Sequence, residues 1–325
     1  MDKSDLVVLA NRHRNVFLVD LSWVLYKSWY SYYKGQGLSV NIDGKEQPTG
    51  HIYGVLRAII AMKKRDNKCM IVLCQDGKPI NRKSENEDYK ANREGVEGYN
   101  LYDDLDSIID MSFRISDVYL AYNPVLEADD IMYSLAKKME TMTSNTNLYI
   151  YSGDNDLLQA ITDRIKVCRK ITNHEFLVID EDYIMTNTPM IRNFRYCPPK
   201  KLPFYRSMIG DKSDNLKGFY RFPRMLATRI AKDIECLEDI KNLKYEDLTP
   251  SKQKHLQKCK DEFDKLQSNY NLMNLKEDIE YEVWRDESDE SRMRASEYSD
   301  LYEMSYYQSY LISSGTVNYE EFVSW

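Results

Sequence analysis

The sequence is poor in the features that mark several protein classes. Six cysteines are present (Cys69, Cys74, Cys168, Cys197, Cys236 and Cys259), none in a C-x-x-C pair, and the smallest gap is the five residues from Cys69 to Cys74. Structural zinc sites draw on closer pairs, so zinc is not expected. Cys69 and Cys74 flank an apolar run, where cysteine behaves as a small buried hydrophobe. A reduced, cytoplasmic protein is therefore the expectation. With only 9 Pro and 12 Gly, the chain is neither collagen-like nor of low complexity. No uninterrupted apolar run approaches the ~20 residues of a membrane span, so no membrane partner is expected. The opening Met1-Asp2-Lys3-Ser4-Asp5 meets Arg12, His13 and Arg14 after a short apolar stretch, which is not the pattern of a signal peptide. Positive charge is also in deficit: 45 Lys and Arg stand against 52 Asp and Glu, a net charge of −7. Taken alone, that balance argues against a nucleic-acid partner, but a mean charge says nothing about where the charges sit.

What is present suffices for a folded core. Hydrophobic residues make up 42% and aromatic residues 12% of the 325, which excludes a disordered chain. This length predicts roughly two domains, each burying its own core. Val16-Phe17-Leu18-Val19-Asp20 reads as a buried strand ending in a carboxylate. Residues 49–65 follow with helical spacing, placing Ile52, Val55, Leu56, Ile59 and Ile60 on one face. Met70 to Asp76 repeats the first pattern. Residues 126–140 read as a helix opening on Glu127-Ala128-Asp129-Asp130. Residues 147–151 read as a third strand, running into Ser152-Gly153-Asp154-Asn155-Asp156 and a further helix. Apolar strands alternating with helices imply an α/β fold, a parallel sheet with helices on both faces. Sites in such sheets form beyond the carboxyl ends of the strands. From about residue 199 the pattern turns helical, with a polar, charge-mixed break at 285–300 and a Tyr-rich helix at 301–313. The expected division is 1–198 and 199–325.

The acids fall where that fold wants a site. Asp20 and Asp76 end strands. Glu127, Asp129 and Asp130 open a helix, Asp154 and Asp156 follow a strand, and Asp211 and Asp214 lie in Gly210-Asp211-Lys212-Ser213-Asp214-Asn215. Nine carboxylates thus come from five separated segments. Each has a plain alternative: a lone Asp after a strand is often a helix N-cap, and Glu-Ala-Asp-Asp could merely complement a helix dipole. Converging like charges, however, cannot all stay ionised without a compensating cation. All-oxygen ligation suits Mg²⁺ or Mn²⁺, and so many ligands suggest two ions, as in-line phosphodiester hydrolysis uses.

The stretches LVDLSWVLYK, QDGKPINRKSENEDYKANR, EADD, SGDNDLLQ and MIGDKSDNLKG resemble, in order and approximate spacing, the 5′-nuclease family of flap endonucleases and 5′→3′ exonucleases. The resemblance covers about residues 16–235. The longer helical tail is most similar to the phage ribonuclease H branch, which would place the protein in a host cytoplasm. The resemblance implies a PIN-like α/β domain, with an arch at about 78–115, followed by a helix-three-turn-helix module that grips duplex DNA. It implies a first metal ion on Asp20, Asp76, Glu127 and Asp129 and a second on Asp154, Asp156, Asp211 and Asp214, with Asp130 a nearby acid. Tyr26 resembles the aromatic on which the family stacks a base, and Lys27 is placed to meet a phosphate. Arg82, Lys90 and Arg93 resemble the basic residues at the foot of the arch, Lys90 and Arg93 acting on the transferring group. Tyr26 has core as its alternative, and Lys90 and Arg93 a solvated face.

Charge is segregated along the chain. Residues 206–232 hold Arg206, Lys212, Lys217, Arg221, Arg224, Arg229 and Lys232 against Asp211 and Asp214, a net +5. That is a footprint for a DNA backbone, unless it is merely a basic helix. Residues 94–110 hold Glu94, Glu97, Asp103, Asp104, Asp106 and Asp110 and no base, unlike the family's usually basic arch. After Gly218 the family continues with a second glycine-rich turn, where this chain has Phe219-Tyr220-Arg221-Phe222-Pro223-Arg224; a potassium site is not expected.

The expected function is a two-metal 5′→3′ exonuclease and flap endonuclease, acting as a monomer on DNA or RNA–DNA near 5′ ends. The 285–325 tail could dock a replication protein or close the helical domain. Two rivals stand beside this. A phosphatase of the haloacid-dehalogenase type would need a second Asp two residues after the nucleophile, which Asp20-Leu21-Ser22 lacks, and would leave 206–232 unexplained. A non-catalytic DNA-binding scaffold would not need the complete acid set.

Overall fold

The computed structural model describes residues 3–78, 80–86, 89–90, 99–172, 175–186 and 197–316. A seven-stranded sheet organises them. Its centre is five parallel strands in the spatial order Val118–Tyr122, Met70–Gln75, Asn15–Asp20, Asn147–Tyr151 and Ile165–Ile171. Each edge carries an antiparallel strand, Glu282–Trp284 beside Val118–Tyr122 and Phe176–Ile179 beside Ile165–Ile171. The chain starts at the middle of the sheet, steps outward through Met70–Gln75 to Val118–Tyr122, and then returns to the other side at Asn147–Tyr151. The switch point lies between Asn15–Asp20 and Asn147–Tyr151, and crevices form at the carboxyl ends of strands there.

Side chains alternate across the sheet because strand periodicity is two. Val16 and Leu18 face a core shared with Ile131 and Leu135 of the helix Ala128–Met142 and with Phe204 and Leu226 of the later helices. Phe17 and Val19 face a second core, with Ile52 and Ile59 of the helix Gly50–Arg65 and Ile108 of the helix Leu105–Phe113. Both faces are covered, which is why Asn15–Asp20 and Met70–Gln75 carry unbroken apolar runs.

The helical part does not bury a separate core. The helices Leu202–Ile209, Arg224–Asp233, Pro250–Asp261 and Phe263–Met273 contribute to the same core as Val16 and Leu18. A short hairpin pairs Gly210–Asp211 with Leu216–Lys217 between the first two of these helices. Gly210 has φ +80°, and a Cβ there would fall 2.2 Å from the Gly218 nitrogen, so the hairpin needs glycine at both ends.

The expected boundary at 198/199 is crossed again near the end. Glu282–Trp284 joins the sheet, the helix Asp289–Leu301 lies against Leu105–Phe113, and Ser305–Ser313 reaches Gly50–Arg65. The polar break expected at 285–300 is mostly this first helix. Ser288 caps it, accepting a hydrogen bond from the Ser291 backbone, and its buried face is built from Ser291, Ala295 and Ser299. A face of small residues carries little hydropathy and so escapes a periodicity search. Among the described residues no helix is long and apolar enough to cross a membrane.

The acidic stretch at 94–110 also differs from expectation. Residues 91–98 lie outside the described residues, but Asp104 and Asp110 are buried. Asp104 accepts hydrogen bonds from His51 Nε2 at 2.8 Å, Tyr99 at 2.5 Å and Tyr302 at 3.1 Å. Asp110 accepts from Ser291 at 2.8 Å and Arg294 Nε at 2.6 Å. These two acids anchor the C-terminal helices to the first part of the chain.

Candidate active site

The strand ends and the loops beyond them build the site. Asp20 is the last residue of the central strand and also the N-cap of the helix Leu21–Ser28. Its Oδ1 accepts from the Trp23 backbone at 2.9 Å and its Oδ2 from Ser152 Oγ at 2.7 Å. Asp76 follows the adjacent strand and accepts from the Ala128 backbone at 2.7 Å, which ties it to the start of the helix carrying Asp129 and Asp130. Asp154 accepts from the Asp156 backbone at 2.7 Å, shaping the loop after Asn147–Tyr151. The capping and functional readings of these acids are therefore compatible: in Asp76 and Asp154 one oxygen fixes the local structure, and in Asp20, where each oxygen accepts one hydrogen bond, further lone pairs remain on both.

Asp20, Asp76, Asp129 and Asp154 line one cavity of about 590 Å³ together with Lys90, Tyr26, Trp23, Tyr102 and Ser213. The electrostatics are unfavourable as they stand. Burial, and then the Asp76 charge, push the Asp20 carboxyl up to about 7. Burial, followed by Asp154 and Asp20, holds Asp129 well above the usual carboxylate range.

Four of the remaining acids meet basic side chains. Glu127 is paired by Lys90 and Arg82 and accepts from the buried Tyr89 hydroxyl at 2.9 Å. Burial would raise Glu127, but Lys90 and Arg82 outweigh it and hold it below its ordinary value. Arg82 also reaches Asp130 at 2.6 Å. Asp156 and Asp211 both pair with the buried Arg206. The carboxylates of Asp156, Asp211 and Asp214 lie within 4.8 Å of one another, close enough to hold a cation. A second cavity of about 680 Å³ adjoins this group, lined by Arg206, Asp211, Lys212, Lys217 and Arg224, with Asn155 lining both cavities.

Several expected residues lie elsewhere. Lys27 does not line the acid cavity; its ammonium sits 4.3 Å from the Trp23 ring centroid and donates to the Tyr151 hydroxyl at 3.1 Å. Asp130 does not line it either; it pairs with Arg82. Arg229 is paired with Asp247 at 2.7 Å. Arg221 is exposed and stacks on Tyr220. Arg206, counted in the surface footprint, is buried. Arg93 lies outside the described residues. The sequence reading missed Trp23, Tyr89, Tyr102 and Arg169. Arg169 donates to the Ser152 carbonyl at 3.3 Å and Asn155 Oδ1 at 3.0 Å, bracing the Asp154 loop. Trp23 packs over Gly153, where a Cβ would fall 2.0 Å from the indole nitrogen. One signal for Trp23 was available: it stands three residues after Asp20, on the same side of the helix.

A nest of acids at the switch point of a parallel sheet, with a basic cavity adjoining it, is the arrangement of a phosphodiester-cleaving hydrolase. Residues 15–188 match the 5′-3′ exonuclease, N-terminal resolvase-like domain, and the chain belongs to that family; it is a nuclease. Among relatives, the 5′-3′ exonuclease of Buchnera aphidicola (subsp. Schizaphis graminum) is 28% identical over 71% of this chain and 74% of its own length. That of Aquifex aeolicus is 27% identical over 70% and 72%. Among solved structures, the T5 5′-exonuclease with bound zinc ions superposes with a TM-score of 0.58 at 14% identity, over 91% of this chain and 98% of that one. Human GEN1 in complex with Holliday junction DNA gives 0.55 at 12%, over 94% and 72%. At such identities these two likenesses establish the fold.

Proposed function

We propose that this nuclease is a divalent-metal-dependent 5′→3′ exonuclease and flap endonuclease, cutting DNA or RNA–DNA phosphodiesters near 5′ ends. The observation that carries this reading is the convergence of Asp20, Asp76, Asp129 and Asp154 on one cavity that Lys90 also lines. Their mutual repulsion, with Asp20 pushed to about 7, is what a bound cation would relieve. The donor set is all oxygen, which fits Mg²⁺, with Mn²⁺ as a substitute. A second ion would fall to Asp156, Asp211 and Asp214. Ions so held would supply Lewis-acid charge at the reacting phosphate.

The protein's own groups support this chemistry. Lys90 brings positive charge to the cavity and to Glu127 together, so it can stabilise charge developing on a phosphate oxygen. Arg82, held by Glu127 and Asp130, adds to that field from behind. Tyr26, Trp23 and Tyr102 give the cavity an aromatic wall suited to a nucleobase. Lys212, Lys217 and Arg224 in the adjoining cavity suit a duplex backbone. The turn after Gly218 buries Phe219 and Phe222 and exposes Tyr220 and Arg221. The described part of the tail is folded onto the chain's own helices, so the reading gives it a closing role.

The test is cleavage of a 5′-labelled DNA flap, and of its RNA–DNA counterpart, with Mg²⁺. Cutting near the 5′ junction, lost in Asp154→Ala, is expected. Protein that binds the flap but never cuts it under Mg²⁺ or Mn²⁺ would overturn the enzyme reading in favour of a DNA-binding scaffold.

A further inference from the structure

The acids of the site divide by whether they already own a cation. Among the described residues, Asp20, Asp76, Asp129 and Asp154 make no ion pair. Glu127 and Asp130 are paired by Lys90 and Arg82, and Asp156 and Asp211 by Arg206. Arg206 stands on the last turn of the helix Leu202–Ile209 and is only 4% exposed. Its two terminal nitrogens reach different carboxylates, Nη1 to Asp156 and Nη2 to Asp211. Those two belong to the trio whose oxygens cluster tightly enough to hold an ion. A guanidinium and a divalent ion are rivals for the carboxylates of this trio. They compete for the same lone pairs, and their charges repel across a buried gap of a few ångströms.

Resting on the metal-dependent reading above, we propose that the protein alone offers one open divalent-ion position, at Asp20, Asp76, Asp129 and Asp154. Arg206 closes the second until a phosphodiester draws its guanidinium away. The position of Arg206 supports the exchange. It lines the basic cavity with Lys212, Lys217 and Arg224, and Asn155 connects that cavity to the acid one. A backbone phosphate entering there offers two oxygens to the guanidinium fork, as a carboxylate does. Arg206 can therefore turn from Asp156 and Asp211 to the phosphate without losing its pairing, and the two freed carboxylates can then take an ion. The second ion enters with the substrate and leaves with it. A purely structural Arg206 would instead keep its carboxylates whatever is bound.

Titration with Mn²⁺, followed by the electron-paramagnetic-resonance signal of the free ion, tests this. Metal-stripped full-length protein should take up one tight ion per chain. Adding a flap duplex with phosphorothioate linkages at its 5′ junction should bring in a second. Arg206→Gln should show two ions without any duplex, the second bound at least about tenfold tighter than in the parent. Because removing Arg206 could unfold the chain, near-ultraviolet circular dichroism checks the variant. The parent protein with and without duplex decides the matter independently of it. Two ions of similar affinity in the duplex-free parent, no second ion on adding the duplex, or a single ion in folded Arg206→Gln each overturn the proposal while the metal reading stands. No uptake of Mn²⁺ under any condition overturns the metal reading itself.

Discussion

Asp20 and Asp104 are the same residue type at nearly the same burial, 7% and 6% exposed, in regions that treat them oppositely. Around Asp104 the fold assembles three donors, from His51, Tyr99 and Tyr302. Burial alone would raise this carboxyl, but the His51 and Tyr99 hydrogen bonds outweigh it and hold it below its ordinary value. Around Asp20 the fold assembles two donors and further acids, and the carboxyl rises to about 7. Burial therefore does not mark a functional carboxylate. What distinguishes the two is the balance of donors and cations against neighbouring charge. The tail anchor is complete as it stands, whereas the acid nest is built for something the chain does not itself supply.

The contrast breaks most readily at Asp129. Asp129→Asn is expected to lower flap cleavage at least about a thousandfold while raising the melting temperature of metal-free protein. A melting temperature that falls instead would mean that Asp129 is structural. Next in size is the pH response. The folded Asp20 carboxyl binds its proton more tightly than the unfolded one, so its ionisation opposes folding. The shift from 3.8 to about 7 corresponds to roughly 4 kcal/mol, lost as pH rises through that window and fully lost above 7. In EDTA, melting temperature should accordingly fall between about pH 4 and 7, and saturating Mg²⁺ should flatten the slope; a pH-independent melt in EDTA counts against the repulsion. Asp104→Ala, by contrast, should cost about 3 kcal/mol in urea unfolding and leave cleavage per folded molecule intact. Tyr302→Phe removes one of three donors and should cost about 1 kcal/mol without altering turnover. The smallest effect is expected at Lys217→Ala, which should reduce the salt slope of DNA binding by about one and leave stability unchanged.

Much of the first half was legible because its strands are buried on both faces and end in acids. Val16–Asp20, Met70–Asp76 and residues 147–151 announce themselves as apolar runs, and Gly50–Arg65 by its one-sided spacing. The strands Val118–Tyr122 and Ile165–Ile171 did not, since Tyr interrupts the apolar run of the first and Lys and Arg that of the second. The acids of the site were legible for the same reason as the strands. Their ownership by Arg82, Lys90 and Arg206 was not. An arginine five residues before Asp211 reads as surface charge until the hairpin Gly210–Lys217 folds the carboxylate back towards the helix that carries it. Likewise Asp104 and Asp110 looked like an exposed acidic run, because their partners Tyr302 and Arg294 lie 198 and 184 residues away.

The antiparallel strand Glu282–Trp284 has a bearing on how the molecule is made. Synthesis runs from the amino end, and early segments fold first where they can. Here the edge at Val118–Tyr122 has no cover, and Asp104 and Asp110 lack Tyr302, Ser291 and Arg294, until residues near 300 have left the ribosome. A shortened chain would carry the complete set of site acids on a sheet with a bare edge, a form open to pairing with other chains and to proteolysis. The fold thus ties a covered sheet edge to arrival of the last helices.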